Sequence, residues 1–227
     1  MKYSVLAMAL MVAIGCSNIN EESIKTAIIG QNYYMVNKDS VSIPVEFLEN
    51  CARHYDWTVN VLDEWSVKEV DGKPVLIFDT HEFEPRQVQN DELAFFCTKT
   101  GESLRKAPVE DFDINQINGT WINALTANLA LAKSNKMEIP DCPDGAAKNP
   151  GFTFSPDGKC LIQDFCETTE LPYTVNAAFR VVCIGDPCKP VQVWKIREMA
   201  ADKMVIDRKY LKEDRLNYEY NQWLLKR

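Results

Sequence analysis

Histidine is almost missing from this chain: His54 and His81 are the two imidazoles in 227 residues. That scarcity leaves little room for chemistry in which an imidazole moves protons or holds a metal. No Gly-x-Ser-x-Gly elbow, phosphate-binding loop or His-Glu-x-x-His helix is present either. What remains is "FDTHEFE", which in a strand sets Asp79 and His81 on one side and Glu82 and Glu84 on the other. Those letters fit a solvated strand face better than a catalytic pair, so the chain is read as no enzyme, with no cofactor and no metal. A basic stripe is lacking as well. Lys and Arg number 25 against 33 Asp and Glu, a net charge of −8 with pI near 4.9. Such a surface repels phosphate backbones, which excludes nucleic acid as the expected partner. The one strongly apolar run covers residues 5–14, about half of the ~20 residues that a spanning helix needs.

That short run carries information of its own. Lys2 precedes it and small residues follow, the layout of a secretory signal. It ends in Ala13-Ile14-Gly15-Cys16, which resembles the lipobox of bacterial lipoproteins, with Ala13 where that pattern prefers Leu. The resemblance implies cleavage after Gly15, a lipid on the Cys16 thiol, and a lipoprotein of the outer membrane, periplasmic or surface-exposed. Residues 1–15 are then the signal and 16–26 a polar, acidic tether. Each buried methylene of the fatty chains adds ~0.8 kcal/mol of membrane affinity. The competing reading is ordinary cleavage near Gly15, with Cys16 a plain thiol.

Seven further cysteines remain: Cys51, Cys97, Cys142, Cys160, Cys166, Cys183 and Cys188. An odd number leaves at least one without an intramolecular partner, and export permits disulfides. The spacings Cys160-x5-Cys166 and Cys183-x4-Cys188 are loose for the knuckles of structural zinc sites. If residues 170–172 turn between two strands, Cys160 faces Cys183 at a separation that a disulfide accepts. Cys183–Cys188, closed by Gly185-Asp186-Pro187, competes for the same sulfur.

Strand signals dominate the rest. Residues 57–61 alternate apolar and polar side chains, 65–70 reads as a further strand, and Asp71-Gly72 supplies the positive φ that a tight hairpin needs. Further strands are expected over 74–83, 92–99, 152–154, 160–165, 176–184, 191–198, 203–209 and 216–222. In the last, Leu216, Tyr218 and Tyr220 alternate with Asn217 and Glu219. Two stretches differ. Val45, Leu48, Ala52 and Tyr55 recur at helical spacing behind Pro44, predicting a short helix near 44–55. Residues 121–133 fit a helix or one long strand.

The hairpins echo along the chain. Asp71-Gly72-Lys73 recurs 86 positions later as Asp157-Gly158-Lys159, and Cys97 recurs at the same offset as Cys183. Such a period fits a duplicated small domain, or two β-rich halves that agree by coincidence. Either way the division is an N-terminal β-rich domain over 27–112 and a C-terminal one over 115–227. Within the second, Gly119-x-Trp121, Phe154-Ser-Pro-Asp157-Gly158 and Val193-Trp194-Lys195-Ile196 resemble the lipocalin-like lipoproteins of Bacteroidota. That resemblance implies small antiparallel β-barrels, two in tandem in a mostly β chain. A closed barrel removes the sheet edges that promote aggregation.

The expected function is therefore a membrane-anchored extracytoplasmic lipoprotein holding a small apolar or amphipathic ligand in a barrel; no ligand-binding residues follow from the sequence. The alternative is an interaction protein whose filled barrels contact a protein or glycan. Tyr218, Tyr220 and Trp223 would suit that role, although ordinary strand packing explains them equally.

Overall fold

A computed structural model describes residues 19–55, 62–88, 92–108, 112–126, 129–212 and 215–227. The lipobox and Cys16 lie outside the described residues, as does most of the strand expected over 57–61. The chain is mostly β and forms two antiparallel lobes. The first comprises α1 (Glu21–Ile28), β1 (Asn32–Val36), β2 (Ser42–Phe47), β3 (Ala52–His54), β4 (Leu62–Asp63), β5 (Trp65–Val70), β6 (Lys73–Phe78), β7 (His81–Gln87), β8 (Leu93–Phe96) and β9 (Ser103–Lys106). Its strands form one sheet in the order β4-β3-β2-β1-β9-β8-β7-β6-β5. The sheet curls into half a barrel and stays open. Inside the curl, Phe47, Phe78, Phe83 and Phe95 pack with Ile24 and Ile28 of α1, all fully buried. Asn20 caps that helix by accepting from the Ser23 amide, while the Ser23 hydroxyl answers the Asn20 amide. This reciprocal cap fixes where the helix begins. Residues 21–26 are therefore part of the folded lobe, which corrects the tether expected over 16–26.

The second lobe closes. Its elements are β10 (Gly119–Asn123), α2 (Leu129–Ser134), β11 (Gly151–Ser155), β12 (Lys159–Gln163), β13 (Thr168–Asn176), β14 (Val181–Asp186), β15 (Lys189–Met199), β16 (Lys203–Lys212) and β17 (Arg215–Lys226). The eight strands run in sequence order, and β10 meets β17 through Trp121↔Lys226, Ile122↔Leu225 and Asn123↔Leu224. Closure explains Gly119. Its φ is +119°, and a Cβ there would lie 2.7 Å from Lys226 Cε. The angle is what calls for glycine, whereas the flexible end of the Lys226 side chain would move aside for a Cβ. Below the seam a 3-10 turn, Ile114–Ile117, covers the end of the barrel, and the Trp121 indole donates to the Ile117 carbonyl at 2.6 Å.

Four expectations are corrected here. Residues 44–55 form no helix: β2 and β3 occupy them, and Val45 and Phe47 enter the core two residues apart. Pairing of β2 with both β1 and β3 outweighs the local helical spacing. Residues 121–133 split, with strand to Asn123, a 3-10 turn over Ala124–Thr126 and then α2. Asp79 and His81 share no strand, because Asp79 and Thr80 adopt positive φ in the turn before β7. Residues 170–172 do not turn either. They lie within β13, which pairs with β12 and β14 on its two sides. Cys160 then stands opposite Leu171 and Cys183 opposite Thr174, so the Cys160–Cys183 bridge cannot form. Both thiols are free and buried. Cys188 does bond, to Cys51 rather than to Cys183, and Cys142 bonds Cys166.

Candidate functional site

The lumen of the barrel is packed along its lower half. Trp121, Trp194, Phe152 and Phe154 are buried there with Ile184, Ile196, Met204 and Leu224. The Trp194 ring meets Phe152 at 4.6 Å and Phe154 at 5.3 Å between centroids, both edge to face. Aromatic pairs prefer that geometry, and such pairs leave few voids.

Above this plug the lumen turns polar. Arg208 on β16 lies over the Phe152 ring at 5.2 Å and over the Tyr210 ring at 4.2 Å. Its Nε donates to Gln192 Oε1 at 3.1 Å, an oxygen that also accepts from the Trp194 indole. Glu219 on β17 completes the set, 3.5 Å from Arg208 Nη1 and accepting from the Tyr210 hydroxyl at 3.1 Å. Burial holds the Arg208 guanidinium below its ordinary pKa. The Glu219 carboxylate compensates that cation inside the wall, as buried charges require.

Ladder partners share a face. Arg208 faces Glu219 and Tyr210 faces Asn217, so the polar side of β17 looks into the lumen. The apolar side looks out. Leu216, Tyr218, Tyr220, Trp223 and Leu225 line the outer face, and Tyr220 and Trp223 are 56% and 54% exposed. Lys203 Nζ sits 4.0 Å above the Trp223 ring. The alternation expected over 216–222 is present, with Tyr220 turned to solvent and Tyr218 half-buried beneath Lys209.

The third region is the seam between the lobes. Residues Val181, Cys183 and Val193 on the outside of the barrel meet Tyr55 and Ala107 of the first lobe around Phe179. The rings of Tyr34 and Tyr55 approach Phe179 at 5.3 and 5.7 Å. Beside them Arg53, almost fully buried, donates from Nε to the Pro187 carbonyl at 2.5 Å and from Nη1 toward Glu46 at 3.5 Å and Thr174 at 3.4 Å. The Tyr55 hydroxyl donates to the same Glu46 carboxylate. Burial raises Tyr55 well above its ordinary pKa and pushes the Cys183 thiol up to about 11. A cleft of about 260 Å³ opens at the other end of the seam, lined among others by Asn32, Glu46, Val175 and Asn176.

The sequence-derived candidates fall apart in space. Cys160 sits in the lumen core and Cys183 in the seam. Cys188 is at the tip of the β14–β15 hairpin. His81 lies in the first lobe, its Nδ1 3.2 Å from Glu102, with Asp79 in the preceding turn. Among the described residues no cluster of His, Cys, Asp or Glu is placed to hold a metal, and no helix is long and apolar enough to cross a membrane. Arg53, Arg208 and Glu219 escaped sequence reading, because a charged residue in a strand ordinarily marks a solvated face. No family model, curated protein or solved structure matches the chain.

Proposed function

We propose that this protein is a lipoprotein of the cell envelope, anchored through Cys16, whose barrel is a rigid scaffold presenting the outer face of β17 to a macromolecular partner. The observation that carries the reading is the inside-out character of β17: polar residues toward the lumen, Tyr220 and Trp223 toward solvent. Exposed aromatic rings offer large contact area at low entropic cost. The aromatic plug of Trp121, Trp194, Phe152 and Phe154 argues against a large apolar ligand in the lower lumen. The resemblance to lipocalin-like lipoproteins supports the envelope location. With α1 starting at Glu21, the leash from Cys16 reaches roughly 15 Å, which holds the first lobe close to the membrane.

A second reading keeps the small ligand of an amphipathic kind. It rests on the polar ring of Gln192, Arg208, Tyr210 and Glu219 above the plug, a floor that suits a polar head group entering by the barrel mouth.

Crosslinking in intact cells, followed by recovery of the protein, tests the first reading. A partner band present in wild type and lost in a Tyr220→Ala, Trp223→Ala variant supports it; a band that persists rejects it. Native mass spectrometry of the purified chain tests the second, which requires a small-molecule adduct. Labelling with radioactive palmitate tests the anchor, and equal incorporation by wild type and Cys16→Ser refutes it.

A further inference from the structure

The cleft at the seam is assembled from both lobes. In the first, β1 supplies Asn32, β2 supplies Glu46, and the end of β9 supplies Lys106, with Pro108 just beyond it. In the second, the end of β13 supplies Val175 and Asn176. At about 260 Å³ it falls below the ~300–1,000 Å³ of drug-sized sites, which restricts the occupant to a small solute.

Several polar groups in the cleft are only half used. Asn176 is buried; its Nδ2 donates to Asn32 Oδ1 at 2.5 Å, and its Oδ1 accepts from the Phe179 amide at 3.1 Å. The first bond engages the Asn32 oxygen and leaves Asn32 Nδ2 a donor with no partner among the described residues. Glu46 is the ladder partner of Asn32, so the two side chains stand side by side. Arg53 Nη1 and the Tyr55 hydroxyl both engage Glu46 Oε2, and Oε1 has no partner among the described residues. The Glu46 side chain is only 17% exposed. A carboxylate so far withdrawn from water gains from a donor at its second oxygen. Lys106 is exposed, and its ammonium also has no partner among the described residues.

These groups narrow the ligand. One cleft offers a carboxylate oxygen, an ammonium and an amide donor beside the apolar surface of Val175 and Pro108. A simple carboxylate would meet Lys106 but be repelled by Glu46, and a simple amine would reverse the mismatch. A neutral sugar would match neither charge, and no aromatic ring lines the cleft for it to stack on.

We propose that the cleft between the lobes binds a free α-amino acid with a small aliphatic side chain. Its ammonium donates to Glu46 Oε1, its carboxylate accepts from Lys106 Nζ and Asn32 Nδ2, and its side chain lies against Val175 and Pro108. The site is separate from the outer face of β17 and does not depend on the partner-binding reading.

Isothermal titration calorimetry of the full chain with L-valine tests the proposal. Isobutylamine and isovalerate are the comparison probes, each lacking one of the two charged groups. L-valine should bind, and each analogue should bind about tenfold more weakly. Lys106→Met should weaken L-valine about tenfold and leave isobutylamine unchanged. Glu46→Gln takes the counterion from Arg53, so circular dichroism must first show it folded. It should then erase the preference for L-valine over isovalerate, which a purely structural role would not touch. Hydrogen exchange should slow with L-valine at 31–33 and 175–179 together. Tyr220→Ala, Trp223→Ala should bind L-valine as wild type does. No heat with millimolar L-valine, equal binding of all three probes, or unchanged selectivity in both Lys106→Met and Glu46→Gln overturns the proposal.

Discussion

Cys51, in the turn between β2 and β3, is bonded to Cys188 at the tip of the β14–β15 hairpin, with Cα atoms 5.9 Å apart across 137 residues of chain. One covalent bond thus holds the two lobes in register. Arg53 lies under it and binds the carbonyl of Pro187 in the same hairpin. The bond does its work mainly on the unfolded chain, by removing the freedom of a long loop. Cys51→Ser, Cys188→Ser is expected to lower stability by about 3–5 kcal/mol. The shift in urea midpoint against wild type, measured without reductant, checks this.

Arg53 supplies the second restraint on the seam. Arg53→Met keeps the volume but leaves the Glu46 carboxylate without its guanidinium in a mostly buried site. Breaking a buried pair from one side costs about 3–5 kcal/mol. Urea unfolding should register a loss of that order. Faster amide exchange in the 186–189 hairpin should accompany it, and an unchanged hairpin would place the cost elsewhere.

The plug and the stripe should respond oppositely to the same kind of change. Trp194→Ala opens a cavity between Phe152 and Phe154 and is expected to cost about 3–5 kcal/mol. Trp223→Ala, on an exposed ring, should stay within about 0.5 kcal/mol. Paired denaturation curves decide whether the barrel is held from the inside as described.

The buried thiols predict a pH dependence with a definite sign. Burial pushes Cys160 up to about 12 and Cys183 to about 11, from an ordinary 9.0. Above pH 9 the unfolded thiols ionise while the folded ones stay protonated, so the folded chain binds more protons and stability falls as pH rises. The fall spans pH 9 to about 11 for Cys183 and continues to about 12 for Cys160. Denaturation midpoints measured from pH 8 to 11 should drop less steeply in Cys183→Ala than in wild type.

Closure of the barrel gives the last test. Gly119→Ala adds a Cβ against Lys226 Cε at a φ that side chains avoid. A loss of about 1–3 kcal/mol is expected. Pairing it with Lys226→Ala relieves the contact but not the angle, so thermal melts should recover only part of the loss.

Much of this architecture was legible because its causes are local. Asp71-Gly72 turns where read, both residues at positive φ, since two residues and their immediate neighbours decide a tight turn. Cys97 and Cys183 share an offset of 86, yet one faces the first lobe's core and the other the seam. The run Val181–Ile184 gave a hint that could have been taken. An uninterrupted apolar strand is buried on both faces, and here one face is lumen and the other seam. The false helix over 44–55 and the false turn at 170–172 share a cause, because in each a neighbouring strand supplied hydrogen bonds that no local pattern reports.

By itself, then, the order of residues settled the β class, the hairpin turns and the alternation along the final strand, all governed by φ preferences and side-chain period within a few positions. Which sulfur meets Cys51, where Arg208 finds Glu219, and whether Tyr220 and Trp223 look inward or outward were decided by tertiary structure. A strand's period of two says that its sides differ; only the closing of the ring says which side is enclosed.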